Sequence, residues 1–102
     1  MKGKLVRDKI PEIIEQNDKR KPRIKTLSPR EFGRELRKKL VEEASEASKA
    51  TRLSLPGELA DIEEIIDALC KIYKLKRSTI TKIQNIKRAK RGGFKNRVFL
   101  ID

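Results

Sequence analysis

Apolar residues recur along this chain at helical spacing, three and four positions apart, and the interruptions mark four elements. Asp8 is placed to cap a first short helix that tolerates Pro11 in its opening turn and ends at Asn17–Asp18. A basic, proline-containing connection follows from Lys19 to Lys25. Ser28–Pro29–Arg30–Glu31 reads as a capping box with proline at the first helical position. From there Phe32, Leu36, Leu40, Ala47 and Ala50 form an apolar stripe to about residue 51. Leu53 to Gly57 is a break, with Pro56 near the start of the next helix. Leu59, Ile62, Ile65, Ile66, Leu69, Ile72 and Tyr73 make a third stripe. Ser78 is expected to cap a fourth helix with Ile80, Ile83 and Ile86, which runs into Arg91–Gly92–Gly93. The tail from Arg97 to Leu100 reads as extended and is expected to pair with Lys4–Leu5–Val6. The pattern predicts an all-α domain over residues 1–102, a small antiparallel bundle of about four helices with a short extended tail.

Composition changes this picture in two respects. Only 36% of the 102 residues are hydrophobic and 41% are charged, so the core is thin and shared apolar surface between subunits is expected, as a homodimer or higher homo-oligomer. The balance of 27 Lys and Arg against 15 Asp and Glu gives a net charge of +12, a field that attracts polyanions of any kind. Met1–Lys2–Gly3–Lys4 leads into no apolar signal segment, and no run is long enough to span a bilayer. A single cysteine, Cys70, agrees with a reducing cytoplasm. With no histidine in the chain, nitrogen-rich zinc sites and histidine acid–base chemistry are excluded. A bound metal must be held by oxygen, which points to magnesium, with manganese as a substitute.

The carboxylates fall where solvated acids should not. At roughly 100° per residue, Glu43 sits in the middle of the second helix's apolar stripe, and Glu46 lies about 60° to one side. Glu58 sits likewise in the middle of the third stripe, with Asp61 about 60° off. Two adjacent helices therefore aim an i, i+3 pair of carboxylates at their shared interface. Gathering four such charges is costly through lost hydration and mutual repulsion unless cations occupy the cluster. Pairing with lysines at the stripe's edge, such as Lys39, is the plainer alternative. It suits one glutamate better than two converging pairs.

Glu42–Glu43–Ala44–Ser45–Glu46 followed by Glu58–Leu59–Ala60–Asp61 resembles the EExxE…ExxD signature of the all-α NTP pyrophosphatase (MazG-like) superfamily, which includes phosphoribosyl-ATP pyrophosphohydrolase and the dimeric dUTPases. Lys4 to Pro11 and Arg91–Gly92–Gly93–Phe94 are similar to a branch predicted to be house-cleaning pyrophosphatases for noncanonical nucleotides. The resemblance covers nearly the whole chain. It departs in the 11 residues between Glu46 and Glu58, at the short edge of the pattern, which implies a tight hairpin.

The resemblance implies hydrolysis of a nucleoside triphosphate between the α- and β-phosphates, releasing monophosphate and pyrophosphate. Magnesium would be held by Glu43, Glu58 and Asp61, with Glu46 and Glu42 as further ligands. Glu46, and next to it Glu43, is the expected group that orients or deprotonates the attacking water. Lys87, Arg91 and Arg97, with backbone N–H groups at Gly92 and Gly93, are expected to hold the phosphates, and Arg7 and Lys9 are weaker candidates. The main alternative is a small basic nucleic-acid-binding protein. It lacks a recognition motif and aromatic stacking platforms, so at most non-specific binding is expected.

Overall fold

The computed structural model describes residues 3–102; Met1 and Lys2, the start of the N-terminal run read above, lie outside them. Four helices follow in order: α1 (Ile10–Asp18), α2 (Pro29–Lys49), α3 (Leu55–Ile72) and α4 (Arg77–Arg91). The all-helical class and the count of four are as the periodicity predicts. No β-strand occurs among the described residues, so the tail from Arg97 to Leu100 does not pair with Lys4–Leu5–Val6. No helix is long and apolar enough to cross a membrane.

The capping box of α2 forms in full. The Ser28 hydroxyl accepts from the Glu31 backbone N–H at 3.2 Å, and the Glu31 carboxylate accepts from the Ser28 N–H at 3.1 Å. This holds Glu31 below the ordinary carboxylate range, first through the Ser28 backbone N–H. Two other expected caps are not used: α1 begins after Lys9 and α4 after Lys76, neither with a side-chain cap.

A second reciprocal lock sets the hairpin between α2 and α3. The Thr51 N–H donates to Ser54 Oγ at 3.1 Å and the Ser54 N–H to Thr51 Oγ1 at 3.2 Å. With residues 50–54 fixed in this way, α3 starts at Leu55, earlier than the proline and glycine suggest, and Pro56 sits in its first turn. At its far end Lys74 turns left-handed at φ 55°, as Lys19 and Arg97 also do, and the Leu75 N–H reaches back to the Cys70 carbonyl at 2.7 Å.

The antiparallel α2/α3 pair is the only helix pair in extensive contact among the described residues. Its core is small, with Leu36, Ile65 and Cys70 buried. Gly33 is also buried, because Tyr73 lies on it: a Cβ at Gly33 would stand 2.5 Å from the tyrosine oxygen. Arg37, one turn further along α2, lies over the ring, 5.1 Å from its centroid. α4 leaves this pair behind, with Ile83 and Ile86 each 48% exposed.

Candidate functional site

The hairpin brings Glu43 of α2 against Glu58 and Asp61 of α3. All three are half-buried, and each offers a carboxylate oxygen within 4.8 Å of the others. Glu43 reaches this point from the middle of its stripe. Glu58 and Asp61 lie in the opening turns of α3, where the Thr51–Ser54 lock sets the start of the helix.

The electrostatics of the cluster are those of crowded acids. Glu58 is raised above the ordinary glutamate range, first by partial withdrawal from water and then by the charges of Glu43, Glu46 and Asp61. Its place in the first turn of α3 works the other way, since helix N-terminal amides favour a carboxylate. Repulsion and desolvation win. Octahedral magnesium, with bonds of about 2.1 Å, puts neighbouring ligand oxygens about 3 Å apart and opposite ones about 4.2 Å apart. The three carboxylates each offer an oxygen within 4.8 Å of the others, and the all-oxygen donor set suits a hard cation.

The cluster holds three of the five expected metal ligands. Glu46 is exposed and outside the trio, yet near enough for its charge to raise Glu58. Glu42 is exposed and outside it as well. The ion pair between Lys39 and these glutamates that a purely structural role would ask for is not formed among the described residues.

One basic residue does reach the acids. Arg7 Nη2 donates to Asp61 Oδ1 at 2.7 Å, so the N-terminal segment lies across the hairpin. Beside this contact runs a groove of about 640 Å³, lined by Leu5, Val6 and Arg7 on one side and by Phe32, Lys39, Glu43, Asp61 and Lys71 on the other. Lys39 and Lys71 are cations of this groove that sequence reasoning did not assign to phosphate. A signal existed for Lys39, which precedes Glu43 by one helical turn.

The remaining phosphate candidates gather elsewhere. Lys87, Arg91, Gly92 and Gly93 line a separate groove of about 600 Å³ along α4, with Ile80, Ile83 and Phe94. It shares no residue with the groove beside the acids. Gly92 ends the helix at φ 81°, a conformation that favours glycine, and its N–H is taken by the Arg88 carbonyl. Arg97 and Lys9 line neither groove and are exposed.

No protein-family model, curated protein or solved structure matches the chain.

Proposed function

We propose that the protein is a magnesium-dependent nucleoside triphosphate pyrophosphohydrolase, acting on an NTP or dNTP, including noncanonical ones, to give the monophosphate and pyrophosphate. The observation that carries this reading is the convergence of Glu43, Glu58 and Asp61 from two helices, with ligand oxygens within 4.8 Å and no ion pair from a lysine to Glu43 or Glu58 among the described residues. The resemblance of the acidic motif supports it, as does the groove at the acids' edge, whose volume lies in the range of small-molecule sites. In this reading Glu43, Glu58 and Asp61 hold magnesium, which when bound neutralises phosphate oxygens and acidifies a coordinated water. Glu46, close to the cluster but free of it, orients the attacking water and accepts its proton. Arg7, Lys39 and Lys71 supply positive charge along the groove for the phosphate chain. The reducing cytoplasm is the compartment that the lone Cys70 fits.

The test is a screen of the purified protein with magnesium against canonical and damaged nucleotides, assaying pyrophosphate and orthophosphate separately. Pyrophosphate with monophosphate is the expected product. Orthophosphate as primary product, or no turnover with magnesium or manganese across the panel, rejects the assignment.

A second reading, a small basic nucleic-acid-binding protein, draws on α4. That helix carries Arg77, Lys82, Lys87, Arg88, Lys90 and Arg91 and no acid. The expected binding is weak, indifferent to sequence and steeply salt-dependent. Nanomolar, sequence-selective binding at physiological salt, measured by titration at two salt concentrations, would put this reading first.

A further inference from the structure

The groove beside the acids changes character along its length. α2 presents Phe32, Leu36, Lys39 and Glu43 to it from one helix face, and α3 runs antiparallel along it from Asp61 to Ile72. Phe32 stands 11 positions before Glu43, and Ile72 stands 11 positions after Asp61. Both helices therefore carry the groove about 16 Å from the carboxylates to an apolar end. Lys39 and Lys71 lean toward the middle from opposite helices, because side chains tilt toward the N-terminus of their own helix.

The apolar end has an open aromatic face and an opposing wall. The chain has four aromatic residues, three Phe and one Tyr, and Phe32 is the one that lines this groove. One turn further on, Leu36 is buried at 4% exposure, whereas Phe32 is only half-buried. Its ring is thus packed on one side and left open to the groove on the other. Across from it, Leu5 and Val6 are half-buried while Lys4 and Arg7 on either side of them are exposed. An irregular segment buries two adjacent apolar side chains only by lying against something, and the Arg7–Asp61 contact holds it along the groove. No Ser, Thr, Asn, Gln or Tyr lines this groove, so every polar side chain there is charged. Asp67, toward the apolar end, is exposed and already paired with Arg77 at 3.4 Å.

We infer that Phe32 is the platform on which the nucleobase stacks, with Leu5 and Val6 as the facing wall, and that this site selects a base by its face and size and not by its hydrogen-bonding edge. With the phosphates at the carboxylates, the sugar lies beside Lys39 and the base reaches Leu36 and Phe32. Stacking on an aromatic ring is tolerant, because every base has a π face. A pocket built to hydrogen-bond a group rejects the analogue lacking it by about 10⁴- to 10⁵-fold, whereas an apolar pocket discriminates by only about 10- to 200-fold. A base altered at its edge by deamination or oxidation keeps its face and is accepted. The placement of the phosphates rests on the pyrophosphohydrolase reading; the stacking platform is tested apart from it.

The chain contains no tryptophan, so Phe32→Trp installs a single fluorophore at the platform. With magnesium, α,β-methylene-ATP and its inosine counterpart are expected to quench that indole saturably, while ribose 5-triphosphate, which has no base, does not. In turnover, Phe32→Leu removes the ring and keeps apolar bulk, so the hairpin still folds. It is expected to raise KM for ATP and ITP about five- to a hundredfold more than for ribose 5-triphosphate. The loss should fall on KM and not on kcat, because the base lies away from the reacting atoms. Across common, deaminated and oxidised bases, kcat/KM is expected to spread over no more than about a hundredfold. Nucleotide turnover with an unquenched indole, an equal Phe32→Leu effect on ribose 5-triphosphate, or a preference of about ten-thousandfold for one base overturns the inference. Quenching by nucleotides without pyrophosphate release upholds the platform and rejects the pyrophosphohydrolase reading, and neither quenching nor release rejects both.

Discussion

Arg7 Nη2 lies 2.7 Å from Asp61 Oδ1, a contact across 54 residues that lays the N-terminal segment over the acidic cluster. The guanidinium holds one of the two Asp61 oxygens, so a metal ion bound to the cluster would compete with arginine for the Asp61 charge. Both side chains are substantially exposed, and the pair is worth about 0–1 kcal/mol. Arg7→Ala should therefore tighten magnesium binding by up to about fivefold, measured by calorimetry. In the proposed reaction the displaced guanidinium turns to phosphate, so the same variant should lower kcat/KM. Weaker magnesium binding in Arg7→Ala would mean that Arg7 braces the site and does not compete for it.

Removing one carboxylate from the cluster should separate stability from metal response. Glu43→Gln and Glu58→Gln each relieve repulsion, so the metal-free proteins should melt at or above the parental temperature. Magnesium should raise the melting temperature of the parent more than that of either variant, because ligand binding to the folded state stabilises it. Turnover should be lost in both. Thermal scans with and without magnesium check this, and variants that lose several degrees without metal would show the acids to be structural.

Glu58 supplies the pH dependence. Its carboxyl is raised above the ordinary range, first by withdrawal from water and then by Glu43, Glu46 and Asp61. The folded chain therefore keeps this proton at pH values where the unfolded chain has lost it. Stability from this group is greatest below the ordinary glutamate range, falls as pH rises to the raised value, and is flat above it. In chelator, the gap by which Glu58→Gln out-melts the parent should open across that window and then hold constant. A gap that closes as pH rises would reverse the assigned sign.

The contact between Gly33 and Tyr73 predicts a coupling between two substitutions. Alanine at a helix interior is worth about 0.8–1 kcal/mol over glycine, but at Gly33 the new Cβ would meet the tyrosine oxygen at 2.5 Å. Gly33→Ala must swing the ring away, losing its packing and the Arg37 contact. In a Tyr73→Ala background the obstruction is gone, and Gly33→Ala should stabilise by about the propensity difference. Denaturant melts of the four proteins in this cycle measure the coupling; additive effects would show that the ring moves at no cost.

The sequence by itself determined the four helices, the Ser28–Glu31 cap and the meeting of Glu43 with Glu58 between two helices, because each follows from the local pattern of one helix. A rotation of 100° per residue places Glu43 and Glu58 at the centre of their stripes before any contact is known. It could not determine which of the flanking acids would join them. Asp61 does and Glu46 does not, although both lie about 60° off, because the axial register of α2 on α3 is set by the Thr51–Ser54 turn and the packing of Leu36, Ile65 and Cys70. The place of Arg7 beside Asp61 is likewise a tertiary fact, since nothing local tells a cation which of 15 acids it will meet. The direction of α4 is the largest such decision. Its amphipathic stripe of Ile80, Ile83 and Ile86 reads as an ordinary core face, but the grip of Arg77 on Glu63 and Asp67 swings it off the hairpin. Periodicity specifies the face a helix would bury; only long-range contacts decide what that face is laid against.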